Sequence, residues 1–405
     1  MKSKLAPLLM IMALFIAACG DQGVAGTTTT QETSEATTGD TTPVDETTTA
    51  ESPDNECVGR SLNRIEPPGV LRDVDWTHQV GTPTWYTDVT LTSDQIEEVC
   101  RMELTGVFTN VVSGEGIQPY RDGIAAAFED VGIELVAEAY AEFDAAKQAA
   151  DVETAMALDP DIWLGLPVDP VSGAEAYRQI VEAGKCLVLG GVEPEGFQVG
   201  EDYYAQVTFD LPGLGIAGAE ALAAAIGGSG KVGFMVHDAD FFITNTRDQA
   251  ALEHLADNYP DIDVVTAPMA DPATAEEIAN AMVARDPEIG VIYAPWSSGP
   301  APGILAALSA LGREDIKVVS NDLDPVMALS MAQGGPVYQV VGSMTYEFGY
   351  TWAVAGMQCI LGLPTPTVAI LPAITTSVDN LEEGWLLSFG PHVPFPEEVA
   401  EVLGG

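Results

Sequence analysis

Short apolar runs recur at regular intervals from Leu104 onward, and segments with helical spacing separate most of them. Their length and flanking residues are typical of buried β-strands. The ten predicted strands are Thr105–Val111, Ile133–Ala139, Ile162–Leu166, Cys186–Leu189, Ala205–Phe209, Lys231–Val236, Asp263–Ala267, Gly290–Ala294, Lys317–Ser320 and Val337–Gly342. Between them, apolar residues repeat with the period of a helix, as at Leu252, Leu255 and Tyr259.

This alternation of strands and helices predicts an α/β fold with parallel sheets that helices cover on both faces. Ten strands at this spacing are too many for one small sheet. The 405-residue chain is long enough to bury two hydrophobic cores. The pattern therefore predicts two doubly wound lobes.

The first 18 residues have the pattern of a secretory signal peptide. Lys2 and Lys4 precede an apolar run from Leu8 to Ala18, which is too short to span a bilayer because spanning takes about 20 residues. The run ends in I-A-A-C, which resembles a bacterial lipobox and makes Cys19 the lipid-modified first residue of the mature protein. We therefore predict a protein anchored at the outer face of the cell membrane or in the periplasm. An ordinary signal peptide followed by a chance cysteine is the alternative.

Two segments separate this anchor from the predicted lobes. Residues 19–56 are rich in Thr, Glu, Asp, Gly and Ser and almost free of apolar residues, which predicts a disordered tether. Residues 57–102 form an N-terminal extension, in which Trp76, Trp85 and Tyr86 are expected to pack on the main body.

The formal net charge of −46 excludes one class of partner. So negative a surface repels phosphate backbones, and we therefore expect no binding to nucleic acid. A surface rich in carboxylates and poor in lysine stays solvated at high salt. A saline habitat and a merely acidic extracytoplasmic protein explain the composition equally well.

Four cysteines remain after lipidation of Cys19, and an even number in an oxidising compartment permits two disulfides with three possible connectivities. Our hypothesis is Cys57–Cys100 together with Cys186–Cys359, because the first pair would pin the extension to the lobe. The sequence lacks C-x-x-C and clustered His/Cys spacing, so we predict no bound metal.

The segment Gly213–Gly218 reads G-L-G-I-A-G, which has the form of a dinucleotide-binding loop. It falls in the middle of the chain, Pro212 interrupts its entry, and the protein is predicted to be exported. A glycine-rich helix that packs closely on its sheet explains the motif without a cofactor. The sequence also lacks G-x-S-x-G, H-E-x-x-H and P-loop motifs, which indicates that the protein is not an enzyme.

Several stretches between Leu104 and Val378, taken in order, resemble the type I periplasmic binding proteins. They are Tyr120–Gly132, Asp159–Asp169, Ile180–Gly184, Asp286–Ala294 and Ile316–Asp322. The resemblance implies a first lobe of residues 103–210 plus 343–371 and a second lobe of 211–342 plus 372–390, joined by a three-stranded hinge. It also implies a ligand site in the cleft between them, outside the carboxyl ends of the strands.

The resemblance assigns Asp322 to accept hydrogen bonds from sugar hydroxyls and places an arginine donor near the helix start at Asn245 and Arg247. Trp296 ends a strand and is suited to stacking on a ring face. The remaining candidate ligand-binding residues are Asp210, Ser343, Ser113 and Glu115. Two features depart from the family: G-E-G-I replaces paired aromatics at 114–117, and Gly190 and Gly191 replace an Asp-Arg pair that clamps sugars.

The lipobox and the resemblance to the type I periplasmic binding proteins together imply a monomeric, lipid-anchored solute-binding protein of an ABC importer. It would bind a small polar solute, with a sugar or polyol favoured, and dock on an ABC transporter permease. The alternative is a sensory receptor of the same fold that works with a membrane kinase or chemoreceptor.

Overall fold

The computed structural model describes residues 57–65, 83–239 and 241–404. The predicted signal peptide, the lipidation residue Cys19, the predicted tether through residue 56 and Trp76 lie outside the described residues. Across the three described ranges, none of the helices combines the length and the apolar character needed to cross a membrane.

Thirteen described strands form two sheets. The strands are β1 (Pro83–Trp85), β2 (Thr105–Asn110), β3 (Glu134–Tyr140), β4 (Ile162–Gly165), β5 (Cys186–Gly190), β6 (Ala205–Phe209), β7 (Gly230–His237), β8 (Ile262–Met269), β9 (Ile289–Ala294), β10 (Lys317–Asn321), β11 (Val337–Ser343), β12 (Thr367–Leu371) and β13 (Ala373–Thr376). The first sheet has the order β1-β12-β6-β5-β4-β2-β3, and the second has the order β13-β11-β10-β9-β7-β8. All described pairings are parallel except that of β11 with β13.

Helices cover both faces of each sheet. They are α1 (Ser93–Cys100), α2 (Gln118–Val131), α3 (Ala145–Met156), α4 (Pro170–Glu182), α5 (Leu211–Ala225), α6 (Phe242–Asn258), α7 (Ala275–Arg285), α8 (Pro300–Leu311), α9 (Pro325–Ala332), α10 (Thr345–Ile360), α11 (Leu381–Phe389) and α12 (Glu397–Gly404). Side chains alternate between the two cores of each lobe: Phe108 faces α2 and α10, while Val107 faces α3 and α4. The predicted α/β fold with two doubly wound lobes is confirmed.

The chain passes between the lobes three times. It crosses from β6 into α5, from β11 into α10, and from β12 into β13. At each crossing a single residue separates elements of different lobes, namely Asp210, Met344 and Pro372. The connections are therefore short enough to act as a hinge between two rigid bodies.

The extension joins the first lobe. Strand β1 adds to the first sheet beside β12, and Tyr86 is completely buried. The segment 57–65 lies on α2 and α10, where the Ile65 amide donates to Glu347 Oε1 at 2.7 Å and the Asn63 amide reaches the Tyr350 hydroxyl at 2.7 Å. Backbone hydrogen bonds and strand pairing therefore make it part of the lobe's architecture.

The second lobe extends past residue 390, where its predicted range ended. Helix α12 packs against α9, and Val399 is completely buried in the same core as Leu381 and Trp385. The C-terminal helix has only eight residues, and one buried apolar position is too weak a pattern to predict it.

The glycines of Gly213–Gly218 are explained by packing. The motif begins inside the first turn of α5, and a Cβ added at Gly215 would overlap the carbonyl oxygen of Arg247 on α6. Gly218 faces the ring of Tyr293 on β9 instead. The close approach is thus mainly to a neighbouring helix, whereas the sequence predicted close packing on the sheet.

Both disulfides lie in the first lobe. Cys57 is bonded to Cys100 at the end of α1, and Cys186 at the start of β5 is bonded to Cys359 near the end of α10. The first bond ties the segment 57–65 to α1, and the second ties α10 to the centre of the first sheet.

Candidate functional site

The two lobes face each other at the carboxyl ends of their parallel strands. The rings of Phe143, which follows β3, and Phe241, which precedes α6, meet edge to face with centroids 6.2 Å apart. A Cβ added at Gly191 of the first lobe would lie 3.6 Å from Ile243 Cδ1 of the second. These contacts across the cleft show that the lobes touch in this structure. Polar groups from several loops converge there, as is usual where strands of an α/β fold end.

Arg247 reaches this region from the buried face of α6. Thr244, Arg247, Asp248, Ala251 and Leu255 recur at helical spacing and are all buried, so the helix turns the arginine inward. The Arg247 Nε–H donates to Asp248 Oδ1 at 2.9 Å. Burial alone would lower the pKa of Arg247, but Tyr293 and the carboxylates of Asp248 and Asp322 raise it. The guanidinium therefore stays charged.

Tyr293 and Asn321 extend this polar cluster to β9 and β10. The Tyr293 hydroxyl donates to Asp248 Oδ1 at 3.0 Å, and Asn321 Nδ2 donates to the Tyr293 hydroxyl oxygen. The Tyr293 ring stacks on Phe234, with centroids 4.1 Å apart, which fixes its position. Each of the three polar residues Asp248, Tyr293 and Asn321 is buried.

Two buried polar atoms of this cluster make no hydrogen bond within the described residues. Among the described residues, Asn321 Oδ1 has no hydrogen-bond partner, and neither has Arg247 Nη2. Arg247 Nη2 lies 2.8 Å from Asp248 Oδ1 but is not aligned for a hydrogen bond with it. An unmet buried polar atom destabilises a protein by roughly 1–3 kcal/mol, so such atoms need an explanation. A bound polar molecule, either a ligand or an ordered water, would supply the missing partner.

Asp322 lies beside this cluster, directly after β10. Its φ of 63° places it in the left-handed region, which aspartate tolerates better than most residues. The side chain is solvent-accessible, yet surrounding protein removes part of its hydration and raises the pKa of Asp322, while Arg247 acts in the opposite direction. The carboxylate also raises the pKa of the Tyr120 hydroxyl, which burial raises most. Asp322 and Tyr120 therefore interact electrostatically across the cleft.

Aromatic rings surround these polar groups. Trp296, which follows β9, is half-buried and meets the His237 ring edge to face at 5.1 Å. His237 Nδ1 shares a hydrogen bond of 2.9 Å with Thr244 Oγ1, and burial lowers the pKa of His237. On the first lobe, Tyr120, Phe209 and Phe348 pack against one another. The cleft thus offers apolar ring surfaces next to charged and amide groups.

The structure brings together three of the candidate residues, Asp322, Arg247 and Trp296, on the second lobe. Asp210 is fully buried as the N-cap of α5, and its Oδ1 accepts from the Gly213 amide at 2.6 Å, so capping explains its carboxylate. Ser343 is buried at the crossing that ends β11.

The remaining candidates lie toward the surface. Asn245 is exposed on α6, on a different side from the buried Arg247, and Ser113 is exposed in the loop after β2. The side chain of Glu115 lies outside what the structure describes. Position along the chain therefore did not show which candidate residues are buried and which are exposed, because that depends on the face of the helix or strand that each residue occupies.

Sequence reasoning missed Tyr293, Asn321, Tyr120 and His237. Tyr293 lies inside an apolar strand and has the sequence pattern of a core residue, while Tyr120 lies in the first turn of a predicted helix, where nothing in the sequence marked it as a binding residue. Asn321 gave the best signal, because it directly precedes Asp322 at the carboxyl end of a predicted strand. Nothing in the sequence shows that Tyr293 would reach both Asp248 and Asn321.

The described residues contain no group of three or more His, Cys, Asp or Glu side chains that could hold a metal ion. What the cluster offers is hydrogen-bond donors, acceptors and ring faces. Such groups bind and orient a small polar molecule.

Comparison with known proteins agrees with this geometry. The periplasmic binding protein domain family matches residues 105–362. A sugar-binding protein of a sugar ABC transporter from Bacillus halodurans is 18% identical with a TM-score of 0.63, covering 69% of this chain and 99% of that one. An ABC transporter solute-binding protein from Agrobacterium vitis, bound with α-D-tagatopyranose, is 19% identical with a TM-score of 0.63, covering 71% and 98%.

A third similar structure is an ABC transporter solute-binding protein from Bacillus halodurans C-125 with bound myo-inositol. It is 20% identical with a TM-score of 0.60, covering 69% of this chain and 96% of that one. No curated protein matches the sequence. Because the family match spans more than half of the chain and the two-lobe fold is shared, this protein belongs to the periplasmic binding proteins of type I fold, which are extracytoplasmic, non-enzymatic solute-binding proteins.

Proposed function

We propose that the protein is a lipid-anchored solute-binding protein of an ABC importer that captures a small sugar or polyol in the cleft between its lobes. The observation that carries this proposal is the buried cluster beside the carboxylate of Asp322, in which Asn321 Oδ1 has no hydrogen-bond partner among the described residues and Arg247 Nη2, although ion-paired with Asp248, has no aligned acceptor. A donor and two acceptors set close together match the alternating donor and acceptor character of neighbouring hydroxyl groups.

The aromatic groups favour the same class of solute. A sugar or cyclic polyol has apolar C–H faces as well as hydroxyl edges, and Trp296 and Tyr120 offer ring surfaces from opposite lobes. The solved relatives bound with α-D-tagatopyranose and myo-inositol support this choice. Since the sugar-clamping Asp-Arg pair is replaced by Gly190 and Gly191, contacts of the second lobe would carry most of the recognition.

Capture would occur by closure of the hinge. The three short crossings permit the lobes to rotate apart, and the contact between Phe143 and Phe241 would break when they do. A solute between the lobes would replace its hydration shell with the fixed groups of the cleft. The closed lobe surfaces would then dock on the permease.

The predicted lipid at Cys19 would hold the protein at the membrane where the permease lies. The sequence I-A-A-C before the acidic, threonine-rich segment supports this part of the proposal. Mass spectrometry of the N-terminal peptide would detect the acylated cysteine. Recovery of the mature protein with an unmodified Cys19, or with a cut elsewhere, would contradict the anchor.

A thermal-shift screen of the mature chain tests the proposed function. The panel contains sugars, polyols, nucleosides, amino acids and short-chain acids. A ligand at 100 times its dissociation constant should add about 2.7 kcal/mol to the free energy of unfolding, which is a readable shift. Hits confined to nucleosides or amino acids would replace the proposed solute class. A hit with no permease gene nearby and a membrane kinase gene beside it would favour the sensory role.

We expect the Asp322→Ala variant to bind the identified sugar or polyol more weakly by about 1.5–3 kcal/mol, because a hydrogen bond to a charged carboxylate is lost. Asp261 is the matched control, since it is an exposed aspartate of the second lobe that directly precedes a strand, at the edge of the sheet opposite to the cleft. Isothermal titration calorimetry measures both variants. Equal affinity of Asp322→Ala and wild type would remove Asp322 from the site.

A further inference from the structure

In the polar cluster of the second lobe, the direction of each hydrogen bond follows from which groups can donate and which can only accept. Asp248 Oδ1 belongs to a carboxylate whose neighbours Arg247 Nε and the Tyr293 hydroxyl both lie within hydrogen-bond distance. An ionised carboxylate only accepts. The proton of the Tyr293 hydroxyl is therefore committed to Asp248.

This commitment determines the orientation of the Asn321 amide. Because the Tyr293 hydroxyl has given its one proton to Asp248, its oxygen only accepts from Asn321. The group of Asn321 that faces Tyr293 must then be Nδ2, as in the structure. The amide oxygen, Asn321 Oδ1, then points away from Tyr293 and has no hydrogen-bond partner among the described residues. The Asn321 residue is only 2% exposed.

We propose that Tyr293 and Asp248 are positioning residues that fix the orientation of the Asn321 amide, so that its acceptor Oδ1 is directed at the ligand beside the donor Arg247 Nη2. The inference rests on the proposed function and deepens it. A ligand that satisfies both atoms carries a hydroxyl that donates to Asn321 Oδ1 and an oxygen that accepts from Arg247 Nη2. Two neighbouring hydroxyls of a polyol or sugar meet this requirement, and a methylene in place of the donating hydroxyl does not.

Two variants separate this role from simple packing. Tyr293→Phe keeps the ring that stacks on Phe234 but removes the hydroxyl, so the Asn321 amide is free to turn over. Asp248→Asn is the conservative control. Arg247 Nε can only donate, so it holds the oxygen of the new amide at the position of Oδ1, and Tyr293 still donates to it. We expect Asp248→Asn to keep the Asn321 orientation of the wild type.

The binding test uses calorimetry with D-tagatose and myo-inositol, each together with its monodeoxy analogues. For wild type and Asp248→Asn, we expect loss of one particular hydroxyl to weaken binding about tenfold or more. For Tyr293→Phe, the same deletion should change affinity by less than about threefold. An unchanged deoxy profile in Tyr293→Phe would overturn the inference, and so would an Asp248→Asn profile that matches Tyr293→Phe.

A second readout needs no ligand and so separates this inference from the proposed function. In the ligand-free protein, the Asn321 side-chain amide proton that bonds to Tyr293 should exchange with solvent about tenfold faster in Tyr293→Phe than in wild type, because its acceptor is gone. Equal exchange would overturn the proposed orientation of Asn321 even if sugars bind. Absence of sugar binding with the expected exchange result would reject the solute class and keep the orientation.

Asn321→Leu covers the case in which Tyr293→Phe does not fold. It removes the acceptor directly and keeps the volume of the side chain, while Tyr293 still donates to Asp248. We expect it to lose the same hydroxyl discrimination as Tyr293→Phe. Retained discrimination in Asn321→Leu would show that Asn321 Oδ1 does not read the ligand.

Discussion

Replacing Gly215 with alanine is expected to lower the free energy of unfolding by about 3 kcal/mol, at the upper end of the usual range for overpacking. The added Cβ would overlap the Arg247 carbonyl oxygen and lie 2.9 Å from the Ala251 amide nitrogen. Both atoms belong to the backbone of α6, so no side-chain rotation can relieve the overlap, and α5 and α6 must move apart. Urea unfolding followed by circular dichroism measures the change.

Gly218→Ala is the matched control, three residues further along the same helix. Its added Cβ would lie 3.6 Å from the Tyr293 ring, which is an ordinary contact. Alanine there should raise the free energy of unfolding by about 0.5–1 kcal/mol, because glycine weakens a helix interior. The two substitutions therefore act in opposite directions. Equal effects of the same sign would contradict the close approach of α5 to α6.

Removal of the Cys186–Cys359 disulfide is expected to lower the free energy of unfolding by about 3–5 kcal/mol. The bond closes a loop with a sequence separation of 173 residues, and the chain-entropy account gives about 5 kcal/mol for a loop of that length. The Cys186→Ala/Cys359→Ala double variant should therefore unfold at a clearly lower urea concentration than wild type. The same account gives about 4 kcal/mol for Cys57–Cys100, whose separation is 43 residues.

The comparison of the two double variants provides the control. Removing Cys57–Cys100 should destabilise the protein less, because the loop that it closes is shorter. Tryptic mapping without reduction should recover the two linked peptide pairs from wild type. Four free thiols in the exported protein, or an unchanged unfolding midpoint in Cys186→Ala/Cys359→Ala, would contradict the prediction.

Much of the fold could be predicted because each strand carries its own pattern. All ten predicted strands occur, and the predicted strand Ala205–Phe209 has the same bounds as β6 in the structure. The three missed strands are β1, β12 and β13. β12 and β13 lie directly on either side of Pro372, and a proline inside an apolar run argues against a strand. Their neighbours in the sheets, rather than their own residues, make them strands.

The candidate site was less predictable, because side-chain direction depends on contacts that are distant in sequence. Asp210 and Asp322 each follow a strand and were equivalent in the sequence. The structure buries Asp210 as the cap of α5 and leaves Asp322 accessible beside Arg247. Asn245 and Arg247 are two residues apart, but the turn of α6 buries Arg247 beside Asp248 and leaves Asn245 exposed.

The sequence by itself determined the succession of strands and helices, the presence of two lobes and the α/β class of the fold, because apolar periodicity is a local property that a few neighbouring residues express. Only the tertiary structure decided which polar groups meet. Asp248 and Tyr293 are 45 residues apart and Tyr293 and Asn321 are 28 apart, yet one hydrogen-bonded chain joins them. Parallel strands that end at a common edge bring such distant residues together, and the direction of their hydrogen bonds follows from that contact.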